Sequence, residues 1–165
     1  LPFVATLPYS RYSDVGPCLN MKQGTWLRCH INMYEFLEGV TVRTVCDSLK
    51  TGVILHPKEG DIVLNEAYEA LGSHYRTAIM PTGIKKPKQK ASVEGTVGNV
   101  ATAIIANLRN RIFYSLRSLQ TAIREKLKEY NREPFQKRDY SRWEVFQEEK
   151  TSLQPLPDIP HEIAT

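Results

Sequence analysis

The run Val40-Thr41-Val42-Arg43-Thr44-Val45-Cys46 constrains the fold more than any other stretch of this chain. Five of its seven residues are β-branched, and a side chain branched at Cβ loses rotamer freedom in a helix but packs well on a pleated surface. The near-continuous pattern suits a buried strand reached from a preceding helix, as in an α/β unit. Asp47 ends it.

The flanking elements follow from local signals. Phe3 to Leu7 is a β-rich run closed by Pro8 and the polar stretch Tyr9 to Asp14, and Val15 to Leu19 is its candidate hairpin partner. Asn20 and Gln23 have capping-box spacing before a helix at about residues 21 to 38, with Trp26, Cys29, Met33 and Leu37 on one face and Gly39 as its terminator. After the strand, Gly52, Pro57 and Gly60 predict a loop up to Asn65, which caps a helix over Glu66 to Tyr75 with Ala67, Ala70 and Leu71 as its apolar stripe. Thr77 to Met80 is a short strand, and a glycine and lysine loop runs from Pro81 to Lys90. From Ser92, the residues Val93, Val97, Val100, Ile104 and Leu108 recur at helical intervals. A further helix starts near Leu116, with Leu119, Ile123, Leu127 and Tyr130 on one face, and Pro134 marks its end. Ser152 to Thr165 holds three prolines without periodicity and reads as a mobile linker.

Composition narrows the class. The 165 residues, 41% of them hydrophobic, fit one soluble domain with a sizeable core. The 24% of charged residues and a mean hydropathy of -0.38 exclude collagen-like and disordered chains, and no apolar run approaches the ~20 residues that span a bilayer. Cys18, Cys29 and Cys46 lack C-x-x-C spacing, so neither a disulfide framework nor a cysteine zinc site is indicated, and a reducing cytosol is the expected compartment. The four histidines, His30, His56, His74 and His161, have no metal-ligand spacing either. Leu1 stands where a start Met would, and Pro2 to Thr6 reads as mid-strand, so the chain is expected to be a piece of something longer.

Charge is concentrated. Residues 76 to 150 carry 16 basic and 8 acidic side chains, against 6 and 8 in residues 1 to 75. Such asymmetry suits a polyanion partner and equally a solvated Lys/Arg face. Within the basic part, Lys85, Lys86, Lys88 and Lys90 have no acid among them and directly precede Glu94. Asp47 at a strand end and Glu94 in a first helical turn are 47 positions apart and are candidate oxygen ligands for a divalent metal. Taken singly, each also serves as a turn former or a dipole-favoured helix residue.

Taken together, the segments Arg43 to Lys50 and Lys86 to Gly95 resemble the second-Asp and Glu segments of the integrase-type transposases of bacterial insertion sequences, above all the IstA type. Leu7-Pro8-Tyr9-Ser10-Arg11-Tyr12 and Glu129-Tyr130-Asn131-Arg132-Glu133-Pro134-Phe135 fit the same family before and after, so the resemblance covers about residues 3 to 147. It implies an α/β fold: an RNase H-like core of mixed sheet flanked by helices over residues 1 to 115, lacking its first strand, then a helical extension over 116 to 150 and the linker over 151 to 165. It implies a D-D-E triad in which Asp47 matches the second Asp and Glu94 the Glu, both catalytic and both ligands to two divalent ions, Mg or Mn. The first Asp belongs to a strand preceding Phe3. Asp14, beside Gly16-Pro17, is not carried over in its place.

The implied parent is a Mg-dependent enzyme that cleaves transposon ends and joins the 3′-OH ends to target DNA. Its implied partners are DNA, held at the phosphates by Lys85, Lys86, Lys88 and Lys90, a helper ATPase of the IstB type, and further copies of itself on DNA. No membrane is expected, and the implied location is the bacterial cytoplasm, at the nucleoid when bound to DNA. Because the first Asp is not among these residues, a catalytically inactive DNA-binding or assembly fragment of a broken insertion element is the alternative. An unrelated cytosolic nuclease would leave the Tyr9-Ser10-Arg11 and Tyr130-Asn131 segments without a reason to accompany the carboxylates.

Overall fold

The N-terminal residues fold back on themselves. Strand β1 (Pro2–Thr6) pairs antiparallel with β2 (Ser13–Pro17), with Val4 opposite Val15 and Ala5 opposite Asp14. The computed structural model describes residues 2–20, 22–46, 54–56, 61–63, 65–81, 100–135 and 137–163. The hairpin is the one expected, shifted by one or two residues, and the shift moves Asp14 out of the turn and onto β2. Leu7 and Tyr12 close the connection through Leu7 N–H to Tyr12 O at 3.0 Å, with Arg11 in the left-handed region at φ 65°. Ser10 Oγ accepts the Tyr12 N–H, the local bond that serine offers a turn.

The chain divides into two compact units, each built from two stretches of sequence: Leu1–Asn20 with Ser92–Ser152, and Met21–Ala91 with Leu153–Thr165. The expected boundary near residue 115 falls inside the first unit, between helical residues 100–108 (described below as α3) and the next helix.

In the first unit, the helix Leu116–Arg132 packs on β2. It starts where Ser115 Oγ accepts the Ser118 N–H and ends at Glu133, before Pro134. Its buried face is Ala122, Ile123, Leu127 and Asn131, so the core-facing stripe is displaced from the expected one, Leu119 being partly exposed and Tyr130 half-buried. The displacement has a polar cause, since Asn131 is 2% exposed and bonds Ser13 of β2 through both ends of its amide. The helix Arg142–Glu149 is capped by Ser141, whose hydroxyl accepts the Glu144 N–H. Its Phe146 ring stacks on Tyr12 at 4.2 Å, and its Arg142 guanidinium lies over Tyr130 and Phe135. Val100, Ile104 and Leu108 of α3 are buried, as their spacing predicts.

The second unit is ordered α1 (Gln23–Leu37), β3 (Arg43–Cys46), β4 (Ile54–His56), β5 (Asp61–Val63), α2 (Glu66–Tyr75) and β6 (Ala78–Pro81). With these labels, the two first-unit helices above are α4 (Leu116–Arg132) and α5 (Arg142–Glu149). β3 and β6 pair in parallel across α2, which makes a β-α-β unit. Asn65 caps α2 as expected, its Oδ1 accepting the Ala67 N–H at 2.8 Å. The buried face of α2 is Tyr68, Leu71, Gly72 and Tyr75, while Ala70 is exposed: the two tyrosines carry the apolar area that the alanines cannot. Gly72 lets the helix approach the strand, because a Cβ there would sit 2.9 Å from Thr77 O.

Several expectations are corrected in this unit. The loop expected between residues 52 and 64 contains the β4-β5 hairpin, in register Ile54 with Val63. Asn20 and Gln23 form no capping box, since α1 begins after Lys22 with no side-chain cap bond, and its buried face is Leu27, His30, Ile31, Met33, Tyr34 and Leu37. The left-handed residue that ends α1 is Glu38 at φ 57°, while Gly39 is needed for another reason: a Cβ there would lie 2.8 Å from Leu153 Cβ. The Val40–Cys46 run is a strand only over Arg43–Cys46, with alternate residues exposed, Val45 by 52%. Among the described residues the strands pair as three two-stranded sheets, and the structure is mixed α/β with five helices and small sheets.

The C-terminal stretch read as a mobile linker is bonded throughout this unit. Val40 and Gln154 exchange backbone bonds at 2.9 and 2.8 Å, and Gln154 Nε2 donates to Arg76 O. The His74 ring donates from Nε2 to Ile159 O at 2.7 Å, and His161 N–H reaches Tyr75 OH. Prolines removed periodicity from the sequence here without removing partners, which are the backbone of Val40 and Arg76 and the side chains of His74 and Tyr75.

Candidate functional site

The parallel β3-β6 pair ends directly before two of the expected site segments. Cys46, the last residue of β3, is the register partner of Pro81, the last residue of β6. The chain continues from the first into Asp47 and from the second toward Lys85, Lys86, Lys88 and Lys90. Both segments therefore depart from the carboxyl end of a parallel pair, where neighbouring strands are about 4.8 Å apart and where ligands of α/β sheets collect. Asp47, Glu94 and the four lysines themselves lie outside the described residues. So do residues 92–99 of the helix expected to carry Glu94.

Two polar arrangements hold this strand end. Tyr34 OH and Thr44 Oγ1 are 2.7 Å apart, and Thr44 Oγ1 is 2.8 Å from Thr77 Oγ1, a buried hydroxyl chain that ties α1 to β3 and to the residue before β6. Burial pushes the Tyr34 hydroxyl pKa well up, keeping it a neutral partner in that chain. The second arrangement is His30 with Cys46. His30 Nδ1 is 2.9 Å from the Trp26 carbonyl, which can only accept, so Nδ1 carries the proton. Nε2 is then an acceptor, 3.4 Å from Cys46 Sγ, and the thiol donates to it. The Tyr68 ring meets the imidazole edge-on at 6.0 Å.

Burial lowers the His30 pKa from its ordinary 6.5, opposed by the Trp26 bond. A histidine with a depressed folded pKa binds more protons unfolded than folded, so its contribution is complete above the unfolded value of about 6.5 and is lost as pH falls from there through the lower folded value. The second unit is expected to lose stability between about pH 7.5 and about pH 5.5. His30→Gln should reduce that slope while lowering stability at the higher pH, leaving the smaller part that comes from His161, whose pKa burial and the neighbouring His74 also lower. Denaturant titrations of both proteins at the two pH values check this, and an unchanged slope in the variant would assign the proton to another group.

Among the described residues, no three His, Cys, Asp or Glu side chains cluster in a way that could hold a metal ion. Asp14 is buried on β2, where Arg124 Nη1 donates to its Oδ1 at 2.8 Å. Burial raises its pKa, and Arg124 counters the rise. Its carboxylate serves the contact of α4 with β2. The segments around Tyr9-Ser10-Arg11 and Tyr130-Asn131, which accompany the carboxylates in sequence, meet in the same contact where Ser13 bonds Asn131, while Ser10 N–H donates to Glu149 of α5. Sequence reasoning missed His30, whose only signal was a histidine on the apolar face of α1.

No protein-family model matches the chain. Curated relatives do. A protein of Sinorhizobium fredii that carries the provisional name of a transposase is 39% identical over 163 residues, 98% of this chain and 31% of its own length. A protein of Pseudomonas fluorescens, provisionally named as the transposase for insertion sequence IS1162, is 33% identical over 99% of this chain and 29% of its own length. A third, of Mycobacterium tuberculosis and also provisionally named a transposase, is 39% identical over 73% of this chain and 28% of its own length. The chain spans about a third or less of the length of these relatives. No helix among its described residues is long and apolar enough to cross a membrane.

Proposed function

We propose that this chain is part of the catalytic core of an insertion-sequence transposase of the IstA type, with DNA as its substrate. The observation that carries the reading is the alignment over 98% and 99% of the chain with relatives named for transposition. The fold adds support, because Asp47 and the lysine segment follow the carboxyl ends of two strands in register. In this reading Asp47 and Glu94 are the second and third members of a D-D-E triad on an RNase H-like core, and the first member lies upstream in the longer protein.

The donor set fits the chemistry. Carboxylate oxygens are the ligands that Mg and Mn take, and the lysines before Glu94 supply cations for DNA phosphates. Asp47 and Glu94 would hold divalent ions there, which would supply activation of an attacking water or 3′-OH oxygen and stabilisation of the leaving oxygen. Asp47 and Glu94 hold that position, while Lys85, Lys86, Lys88 and Lys90 hold the strand in place without reading its bases. A helper ATPase of the IstB type and assembly of several copies on paired ends belong to the same proposal.

The test is an end-joining assay with the longer protein in which this segment lies. Mg-dependent transfer of a 3′-OH end into unrelated DNA, lost on chelation, is the expected result. Joining that persists without divalent metal would overturn the D-D-E reading.

A further inference from the structure

We propose that the connection between α3 and α4, residues 109–117, is a second contact surface for the phosphate backbone of duplex DNA. Its cationic groups are Arg109, Arg111 and Arg117, and Tyr114 is the ring laid against the nucleic acid. The inference rests on the transposase reading for its partner and goes beyond it in placing a contact away from the lysine segment of residues 85–90.

Four observations within the first unit carry it. The stretch Arg109 to Arg117 has three arginines and no acid, and no Asp or Glu occurs anywhere from residue 95 to residue 124. It is uncovered: Tyr114 is 93% exposed and Ile112 76%, and all three arginines are exposed. A connection that merely keeps a turn soluble has no use for Ile112, Phe113, Tyr114 and Leu116 between its arginines, whereas arginine interleaved with aromatic residues is the composition of contact surfaces. The Arg111 guanidinium sits 5.2 Å over the Phe113 ring, which holds its donor fork at the surface.

The placement of Arg117 separates this surface from ordinary helix chemistry. Arg109 and Arg111 follow α3 and suit the negative end of its dipole. Arg117 lies in the first turn of α4, a turn with no acidic residue, where a cation opposes the dipole. Its charge works against its own helix. Among the described residues, the ion pairs of this unit engage Arg124, Lys126 and Arg142 and none of these three arginines.

The charge also selects the occupant. A symmetric contact between two copies would set this acid-free patch against itself and bring like charges together. A duplex presents a phosphate every few ångströms along each strand and releases counterions as guanidiniums replace them.

The test is equilibrium binding of the full chain to two unrelated duplexes across a salt series, read by fluorescence anisotropy, with helicity and oligomeric state followed alongside. Replacing Arg109, Arg111 and Arg117 together by Gln should flatten the slope of log K against log salt by about 0.9 for each phosphate that is no longer neutralised, equally on both duplexes. The triple Lys variant should keep the wild-type slope, and Tyr114→Ala should weaken binding several-fold with the slope unchanged. Wild-type binding with an unaltered slope in the Gln variant would overturn the proposal and leave the transposase reading standing. So would weakening on one duplex only, which is base reading, or a change in oligomeric state without a change in slope, which is a protein interface. Absence of any duplex binding by the wild-type chain would overturn the proposal, while end-joining by the longer protein is scored separately.

Discussion

On the proposed D-D-E reading, Asp47→Asn and Glu94→Gln, made singly in the longer protein in which this segment lies, are each expected to reduce DNA end cleavage and joining to the uncatalysed background. Each change removes one negative charge and keeps the side-chain volume, so the donor set for a divalent ion is lost while packing is spared. The effect is large because a missing carboxylate both weakens metal binding and misplaces the attacking oxygen, and a misplacement of about 1 Å alone costs on the order of 10²-fold. Melting temperatures should stay near the parent value, which separates this outcome from unfolding. Retained activity in either variant would remove that residue from the ligand set. Two neighbours on the described side of Asp47 provide the contrast. Thr44→Val and Cys46→Ala disturb the hydroxyl chain and the His30 contact that hold the β3 end, and should lower activity and stability together.

How much of this was legible in the sequence depended on whether the signal was local. Asn65 capping α2 and the apolar repeat Val100, Ile104 and Leu108 were readable because cap chemistry and helical spacing act within a few residues. The β4-β5 hairpin was hidden by Gly52, Pro57 and Gly60, which are turn-forming residue types and do not reveal that strands lie beside them. The partners that decide the first unit are more than a hundred positions apart: Ser13 and Asn131, and Asp14 and Arg124. No periodicity announces such a pair. Gly39 shows the same limit in another form. A glycine after a helix reads as its terminator, yet Glu38 takes the left-handed conformation and the glycine makes room for Leu153. At the candidate site, the strand ends at Cys46 and Pro81 were nearly placed by their β-branched and apolar runs, while Asp47, Glu94 and the lysines rest on the resemblance.

Asn131 is where the first unit should be most sensitive to a single side chain. It sits on α4 with 2% exposure, its Oδ1 accepting the Ser13 N–H at 3.0 Å and its Nδ2 donating to Ser13 O at 2.8 Å. The amide thus completes both backbone groups of a fully buried strand residue, as another strand would. Asn131→Ala leaves that N–H and that carbonyl without these partners, and each buried group left unpaired costs about 1–3 kcal/mol, so a loss of about 2–5 kcal/mol is expected. Asn131→Leu restores the volume but neither bond, and should recover little of it. That comparison separates the hydrogen bonds from the cavity, since a cavity-dominated loss would be largely recovered by Leu. Urea titrations followed at Trp143, which lies in the same unit, give the numbers. If both variants stay within about 0.5 kcal/mol of the parent, the range of ordinary surface changes, the Ser13–Asn131 bridge is not what holds α4 to β2.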